Sequence, residues 1–337
     1  MTAVTTEATR PTDESRAGVA ELPILTAGLS VAALFAVQLR SAVAGHADVS
    51  TAATVFCAVF LQALPFLGLG VVVSGLVAAW VPAERLTRWL PRRPGLAVIA
   101  AGVSAAAVPG CECGSVPLAR RLFGEKALGA AALTFMLAAP AINPVVLVAT
   151  AVAFPGQPML VFARCFASFL TAVVMGAVWT RWGNPEWISR RLPPVTAMGA
   201  SRWAVFIGTA RHDFLHAVSY LVVGAAAAAV LHVLVPAAVF THLSGRLLLG
   251  VASMAVLAVV LALCSEADAF VAASLTMVPL VPRLVFLVVG PAVDVKLFAM
   301  QAGMFGRAFA IRFAPATFVV ATVVGTATGL VLLGGTG

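Results

Sequence analysis

The chain has 337 residues, 61% of them hydrophobic and only 10% charged, and its mean hydropathy is +1.04. Soluble proteins carry about 25% charged residues, so this composition excludes a soluble globular fold and points to an integral membrane protein. The net charge of +8 does not indicate nucleic-acid binding. The arginines fall in short clusters between apolar runs, and no basic surface with interleaved aromatics forms. Those clusters act instead as topology signals.

In chain order, residues 1–21 mix Arg10, Asp13, Glu14, Arg16 and Glu21 with Thr and Pro. That is the composition of a polar, disordered tail, expected in the cytoplasm, and not of a cleavable signal peptide. A span needs about 20 apolar residues. Leu22–Gly45 qualifies and makes residues 22–50 an extra first span, followed by Thr51–Val81. A basic loop through Arg85, Arg88, Arg92 and Arg93 comes next. Residues 95–108 are apolar but only about 14 long, the length of half a hairpin. Then Val108-Pro109-Gly110-Cys111-Glu112-Cys113-Gly114-Ser115-Val116-Pro117 interrupts the apolar pattern. Ala127–Phe154 and Met159–Trp179 read as full spans, and a basic linker at 182–212 closes the first half. In the second half, Phe214–Pro236, Leu284–Phe305 and Phe313–Leu333 read as spans. The short run Leu247–Leu263 ends in a second interruption, Cys264-Ser265-Glu266-Ala267-Asp268.

The two halves resemble each other. Phe60–Phe66 matches Phe214–Tyr220, and Val81-Pro82 matches Val235-Pro236, each 154 positions on. Cys111 and Cys264 lie 153 apart, and Pro140-Ala141-Ile142-Asn143 and Pro291-Ala292-Val293-Asp294 lie 151 apart. Repeat 1 is therefore residues 51–181 and repeat 2 residues 213–337. If residues 95–119 form a re-entrant hairpin, the arginine-rich loops all fall on the cytoplasmic side and the second interruption enters from the opposite face. The expected fold is an all-α polytopic membrane protein of two inverted repeats. Each repeat carries a broken re-entrant hairpin, with about seven full spans plus two hairpins in all, the plan of secondary transporters. The expected location is the inner (plasma) membrane, with the N-terminus cytoplasmic.

Helix-breaking residues at membrane depth are tolerated only where the freed backbone is packed in protein or lines a cavity. Cys111 and Cys113 form a soft ligand pair there, and Cys264 is a third thiol; with Glu266 they are the candidate metal ligands. The alternative is that the thiols are small buried hydrophobes. Glu112, Glu266 and Asp268 are acids at or beside membrane segments, where carboxylates serve as ion ligands or proton relays; the alternative is a wet interface. Asn143 and Asp294 sit at matching positions, either lining a substrate path or capping a restarted helix, and Asp294 with Lys296 forms a candidate intramembrane pair. Arg164, Arg283 and Arg307 read as snorkelling at interfaces, with counter-charges to the acids as the alternative. His212 and His216 share a helix face beside Asp213, as interfacial polar groups or a weak metal pair. No Walker motif, dinucleotide fingerprint or serine elbow occurs, so neither an enzyme nor a cofactor is expected.

At these residues the chain resembles the predicted-permease family that includes the ArsP-type organoarsenical efflux permeases. The resemblance is carried by Pro109–Ala119, by Ala138–Val146 and by Cys264–Phe270, and covers roughly Thr51 to the C-terminus. It implies a permease of two related halves in the inner membrane. For the ArsP-type members it implies export of trivalent organoarsenicals on a cysteine in the thiol-rich break. Here that role falls on Cys111 or Cys113, with Cys264 as a further thiol. Glu112 and the acids after Cys264 make the donor set harder than a pure thiol trap, so a divalent ion such as Zn²⁺ is the alternative cargo. A third reading is a non-transporting subunit that works with a partner. The expected contacts are thus the lipid bilayer, a small inorganic or organometalloid substrate and a partner subunit, without nucleic acid.

Overall fold

The structure is a computed structural model that describes residues 47–80, 93–106, 112–122, 126–184, 187–188, 201–234 and 247–334. Apart from residues 47–51, these belong to one compact unit, Ala52–Gly337. The expected tail and the expected first span at Leu22–Gly45 lie outside the described residues, as does Cys111.

Among the described residues the chain is helical and contains no strand. Its helices are α1 (Ala47–Trp80), α2 (Pro94–Ala105), α3 (Glu112–Leu122), α4 (Lys126–Ile142), α5 (Pro144–Ala153) and α6 (Pro158–Trp182), then α7 (Arg202–Leu234), α8 (Leu247–Leu261), α9 (Ser265–Ser274), α10 (Leu280–Ala292), α11 (Val295–Met304) and α12 (Arg307–Leu333). Lipid offers no partner for a free backbone group, so apolar segments close their hydrogen bonds within helices. Proline starts α2, α5 and α6 (Pro94, Pro144 and Pro158), where the missing N–H costs nothing. Six stretches are long and apolar enough to cross a bilayer: Asp48–Leu76, Gly129–Ala153, Pro158–Trp182, Arg202–Leu231, Leu280–Met304 and Arg307–Leu333. Gly95–Ala105 and Leu247–Leu261 are apolar but shorter. The chain is a multi-pass helical membrane protein.

Two details refine the sequence expectation. The spans read as Ala127–Phe154 and Leu284–Phe305 are each two helices, α4–α5 and α10–α11, separated at Asn143 and at Val293-Asp294. The prolines Pro140 and Pro291 lie inside α4 and α10, and the helix stops a few residues later, where Asn143 and Asp294 adopt extended backbone and restart it. In addition, α7 begins at Arg202, so part of the expected linker is helical. Its first turns are held by apolar contact: Trp203 and Phe206 pack on Trp80 of α1, with ring centroids 5.5 and 6.1 Å away.

Two helices form the centre. In α4, Ala130, Ala131, Ala132, Ala138, Ala139 and Ala141 are buried, and such small residues let neighbouring backbones approach closely. Helix α4 packs on α2, α3 and α6; α10 packs in the same way on α8, α9 and α12. The centre joins through α4 on α10 and α6 on α12. Two cross-pairs complete it, α3 with α11 and α9 with α5. Each brings the helix after one interruption against the short helix after a break in the other half.

Candidate functional site

The second interruption is fully described. Helix α8 ends at Leu261, and Ala262 takes a φ of 47°, a left-handed conformation that non-glycine residues rarely adopt. Ala262, Leu263 and Cys264 run unwound before α9 restarts at Ser265. Cys264 is buried and occupies the N-cap in extended backbone without a side-chain cap bond. This segment leaves main-chain carbonyls without helical partners, and two buried cations lie at it and at the start of α9.

One is Lys296, fully buried in the first turn of α11. Its Nζ lies 3.4 Å from the Ala262 carbonyl oxygen and 3.5 Å from that of Leu263. The same ammonium is 3.5 Å from Asp294 Oδ2 and 3.9 Å from Glu112 Oε2. These distances exceed those of tight hydrogen bonds, so the contacts are chiefly ionic. Glu112 is the first residue of α3 and fully buried. Ser115 Oγ shares its one proton between the Glu112 carbonyl at 3.0 Å and that of Met136 in α4 at 3.1 Å, which ties this turn to the centre. One lysine thus draws the carboxylate after the first interruption and the unwound backbone of the second to a single ammonium.

The other cation is Arg164 of α6. Of the two expected roles, snorkelling and counter-charge, burial excludes the first: its side chain is fully enclosed. Nη1 donates to Thr150 Oγ1 of α5 at 2.6 Å, and Nη2 donates to the Ser265 carbonyl at the start of α9 at 2.8 Å. Asp268, Glu266 and Glu112 all exert Coulombic pull on this guanidinium. Asp268 is buried, and the absence of a side chain at Gly290 makes room for it: a Cβ there would come within 2.5 Å of Asp268 Oδ2. Gly290→Ala is therefore expected to push the carboxylate aside and cost about 1–3 kcal/mol of stability, the usual penalty for overpacking. Thermal unfolding of the purified protein in detergent measures it, and an unchanged midpoint contradicts this fit.

The other sequence candidates divide. Asn143 is a structural cap: its Oδ1 accepts from the Val146 N–H and its Nδ2 donates to the Ala139 carbonyl, both at 3.0 Å. Asp294 caps the Leu297 N–H with Oδ1 while Oδ2 faces Lys296. Cys111 and the side chain of Cys113 lie outside the described residues. Among the described residues no three His, Cys, Asp or Glu are grouped so as to hold a metal ion. His212 and His216 stack with centroids 5.8 Å apart, while the buried Asp213 accepts from Ser74 Oγ of α1 at 3.3 Å, a helix-to-helix tie. Ser115 and Thr150 escaped sequence reading, because serine and threonine are ordinary in apolar helices.

Four acids, Glu112, Glu266, Asp268 and Asp294, thus surround two cations, Lys296 and Arg164. The acids stand in the first turns or at the N-caps of α3, α9 and α11, where the helix dipole favours negative charge.

Apolar crossings around a buried ionic centre at helix breaks define a multi-pass membrane protein built around an internal polar site. The profile of a family described as predicted permease matches residues 48–330, and the chain belongs to that family. It is 29% identical over 266 residues to a Streptococcus mutans protein named as a subunit of a two-component membrane permease complex, covering 77% of this chain and 88% of the relative. It is 30% identical over 276 residues to the UPF0718 protein YcgR of Bacillus subtilis, covering 80% of this chain and 93% of that relative. No solved structure matches the chain.

Proposed function

We propose that this permease is a secondary transporter of two inverted repeats, residues 51–181 and 213–337, that exports a thiol-reactive metalloid, with trivalent organoarsenicals as the first candidates. One observation carries the reading. Glu112, flanked in sequence by Cys111 and Cys113, contributes its carboxylate to the same ammonium that the unwound Ala262-Leu263 backbone faces. Cargo held by those thiols, with Cys264 as a third, would lie between the two interruptions, beside Glu266, Asp268 and Asp294. Asn143 would line the path as a cap. Helix pairing supports the inverted arrangement: α4 on α2, α3 and α6 has its counterpart in α10 on α8, α9 and α12, and α1 and α7, equivalent by sequence offset, run antiparallel through Trp80–Trp203 and Ser74–Asp213. Rocking of one half against the other would expose the centre to either side in turn, with the N-terminus in the cytoplasm of a plasma-membrane protein.

Growth of cells producing the wild type or Cys111→Ala, Cys113→Ala and Cys264→Ala, challenged with methylarsenite, arsenite, zinc or cobalt, tests the cargo. The expected outcome is tolerance to methylarsenite with the wild type. Cys111→Ala and Cys113→Ala should fall to the level of empty cells while still reaching the membrane. A change in zinc or cobalt tolerance instead would replace the metalloid with a divalent ion.

The second reading, a subunit that works only with a partner, is favoured by the name of the Streptococcus mutans relative. A wild-type protein that reaches the membrane and alters no tolerance by itself would support it. Recovery of a phenotype with a co-expressed neighbouring membrane protein would complete the case.

A further inference from the structure

We propose that the oxygen cage around Lys296 is a seat for an alkali cation, and that the Lys296 ammonium is its tethered occupant, displaced when the free ion binds. The cage consists of the Ala262 and Leu263 carbonyl oxygens, Asp294 Oδ2 and Glu112 Oε2, at 3.4, 3.5, 3.5 and 3.9 Å from Nζ. Unwound carbonyls with carboxylates at a helix break are the donor set by which transporters hold sodium. The cage is also loose. Neither Glu112 oxygen and not Asp294 Oδ2 has a hydrogen-bond partner among the described residues, though all are buried. Arg164, by contrast, is locked by bonds of 2.6 and 2.8 Å. The four cage contacts of Lys296 are all long for hydrogen bonds, and a bare ion that draws these oxygens in competes with the ammonium for them.

The exchange has a defined moving part. The backbone of α11 at Lys296 is pinned against α7, where a Cβ on Gly224 would meet Lys296 Cα at 2.7 Å. The exchange is therefore a movement of the side chain and not of the helix. A bare alkali ion binds oxygen at closer range than the 3.4–3.9 Å of these contacts, so replacing the ammonium draws the cage in. Glu112 lies on α3 and the carbonyls on the α8–α9 break, so the contraction pulls the two interruptions together. The binding stands on this geometry alone; its use as a coupling ion rests on the transporter reading above.

The chain contains only two lysines, Lys126 and Lys296, which makes amine chemistry close to site-specific. Wild-type protein in liposomes is labelled with a small membrane-permeant acylating reagent, in sodium or potassium chloride or in choline chloride of equal ionic strength. Mass spectrometry then gives the extent at each lysine, normalised to the denatured protein, with Lys126 as the reference within the chain. The expected result is several-fold more labelling of Lys296 in sodium or potassium than in choline, with Lys126 unchanged. Equal labelling of Lys296 in all three salts overturns the proposal. A second measurement uses Lys296→Gln, whose melting temperature should rise with sodium or potassium, and Lys296→Gln/Glu112→Gln, in which the rise is lost; a Lys296→Gln protein that folds and ignores both ions also overturns it. No cargo is present in either assay, so their failure leaves the metalloid reading standing, and failure of the growth assay leaves this one standing.

Discussion

Lys296→Met is expected to destabilise the protein by about 3–5 kcal/mol, the usual cost of removing one partner from a buried ion pair. Methionine retains the shape of the stem but leaves Glu112 and Asp294 facing each other and two carbonyls without a positive charge. Glu112→Gln alone is expected to cost less, because Lys296 keeps Asp294 at 3.5 Å, the nearer of its two carboxylates. Joining the two, Lys296→Met/Glu112→Gln, should recover part of the loss. The double mutant then has a favourable interaction energy, the signature of groups that act as a unit. Unfolding in detergent with choline as the only added cation measures all three. A Lys296→Met protein as stable as the wild type would show that the ammonium is not the counter-charge of this centre. Lys296→Arg is not expected to rescue, because a planar five-donor fork does not fit a cage that surrounds a compact ammonium.

The parts of this architecture that sequence made legible are those that hydropathy and helix breaking control. The apolar runs from Thr51 onward correspond to the six crossing segments, since a bilayer demands a minimum apolar length. The break at Cys264 is visible because a serine and two acids follow a run of leucine, valine and alanine. The caps at Asn143 and Asp294 were legible as one of two alternatives, because Asn and Asp after a proline suit a helix restart. What the sequence did not reveal was partnership across the centre. Arg164 stands in the second turn of its helix, where snorkelling is the ordinary fate of an arginine. Only the placing of the Thr150 hydroxyl of α5 and the Ser265 carbonyl of α9 within its reach shows that it points inward. Lys296 suggested a local pair with Asp294 through their spacing, but its contacts with Glu112 and with Ala262, far apart in the chain, depend on how the halves dock. The left-handed turn at Ala262 has no signal at all, because alanine is an ordinary helix residue.

Arg164→Leu carries the second large expected effect, and its readout is local. The guanidinium joins Thr150 of α5 to the first turn of α9 and is the cation that faces Asp268 and Glu266. Its removal takes the guanidinium from the Thr150 hydroxyl, the Ser265 carbonyl and the buried Asp268 together, a loss of about 3–5 kcal/mol. Arg164→Lys retains the charge but has a single nitrogen for two acceptors that the fork reaches at once. It should cost about 1–3 kcal/mol, the penalty for leaving one buried partner unmade. Thr150→Val removes only the α5 end and should be the mildest of the three. Hydrogen exchange distinguishes a lost latch from general damage. With Arg164→Leu, amides of Ser265–Ser274 should exchange faster while those of Glu112–Leu122, held through Ser115 to α4, keep wild-type protection. If both helices lose protection equally, Arg164 supports the whole bundle and is not a latch on α9. If neither changes, the two short hydrogen bonds contribute nothing that lipid-facing packing does not already supply.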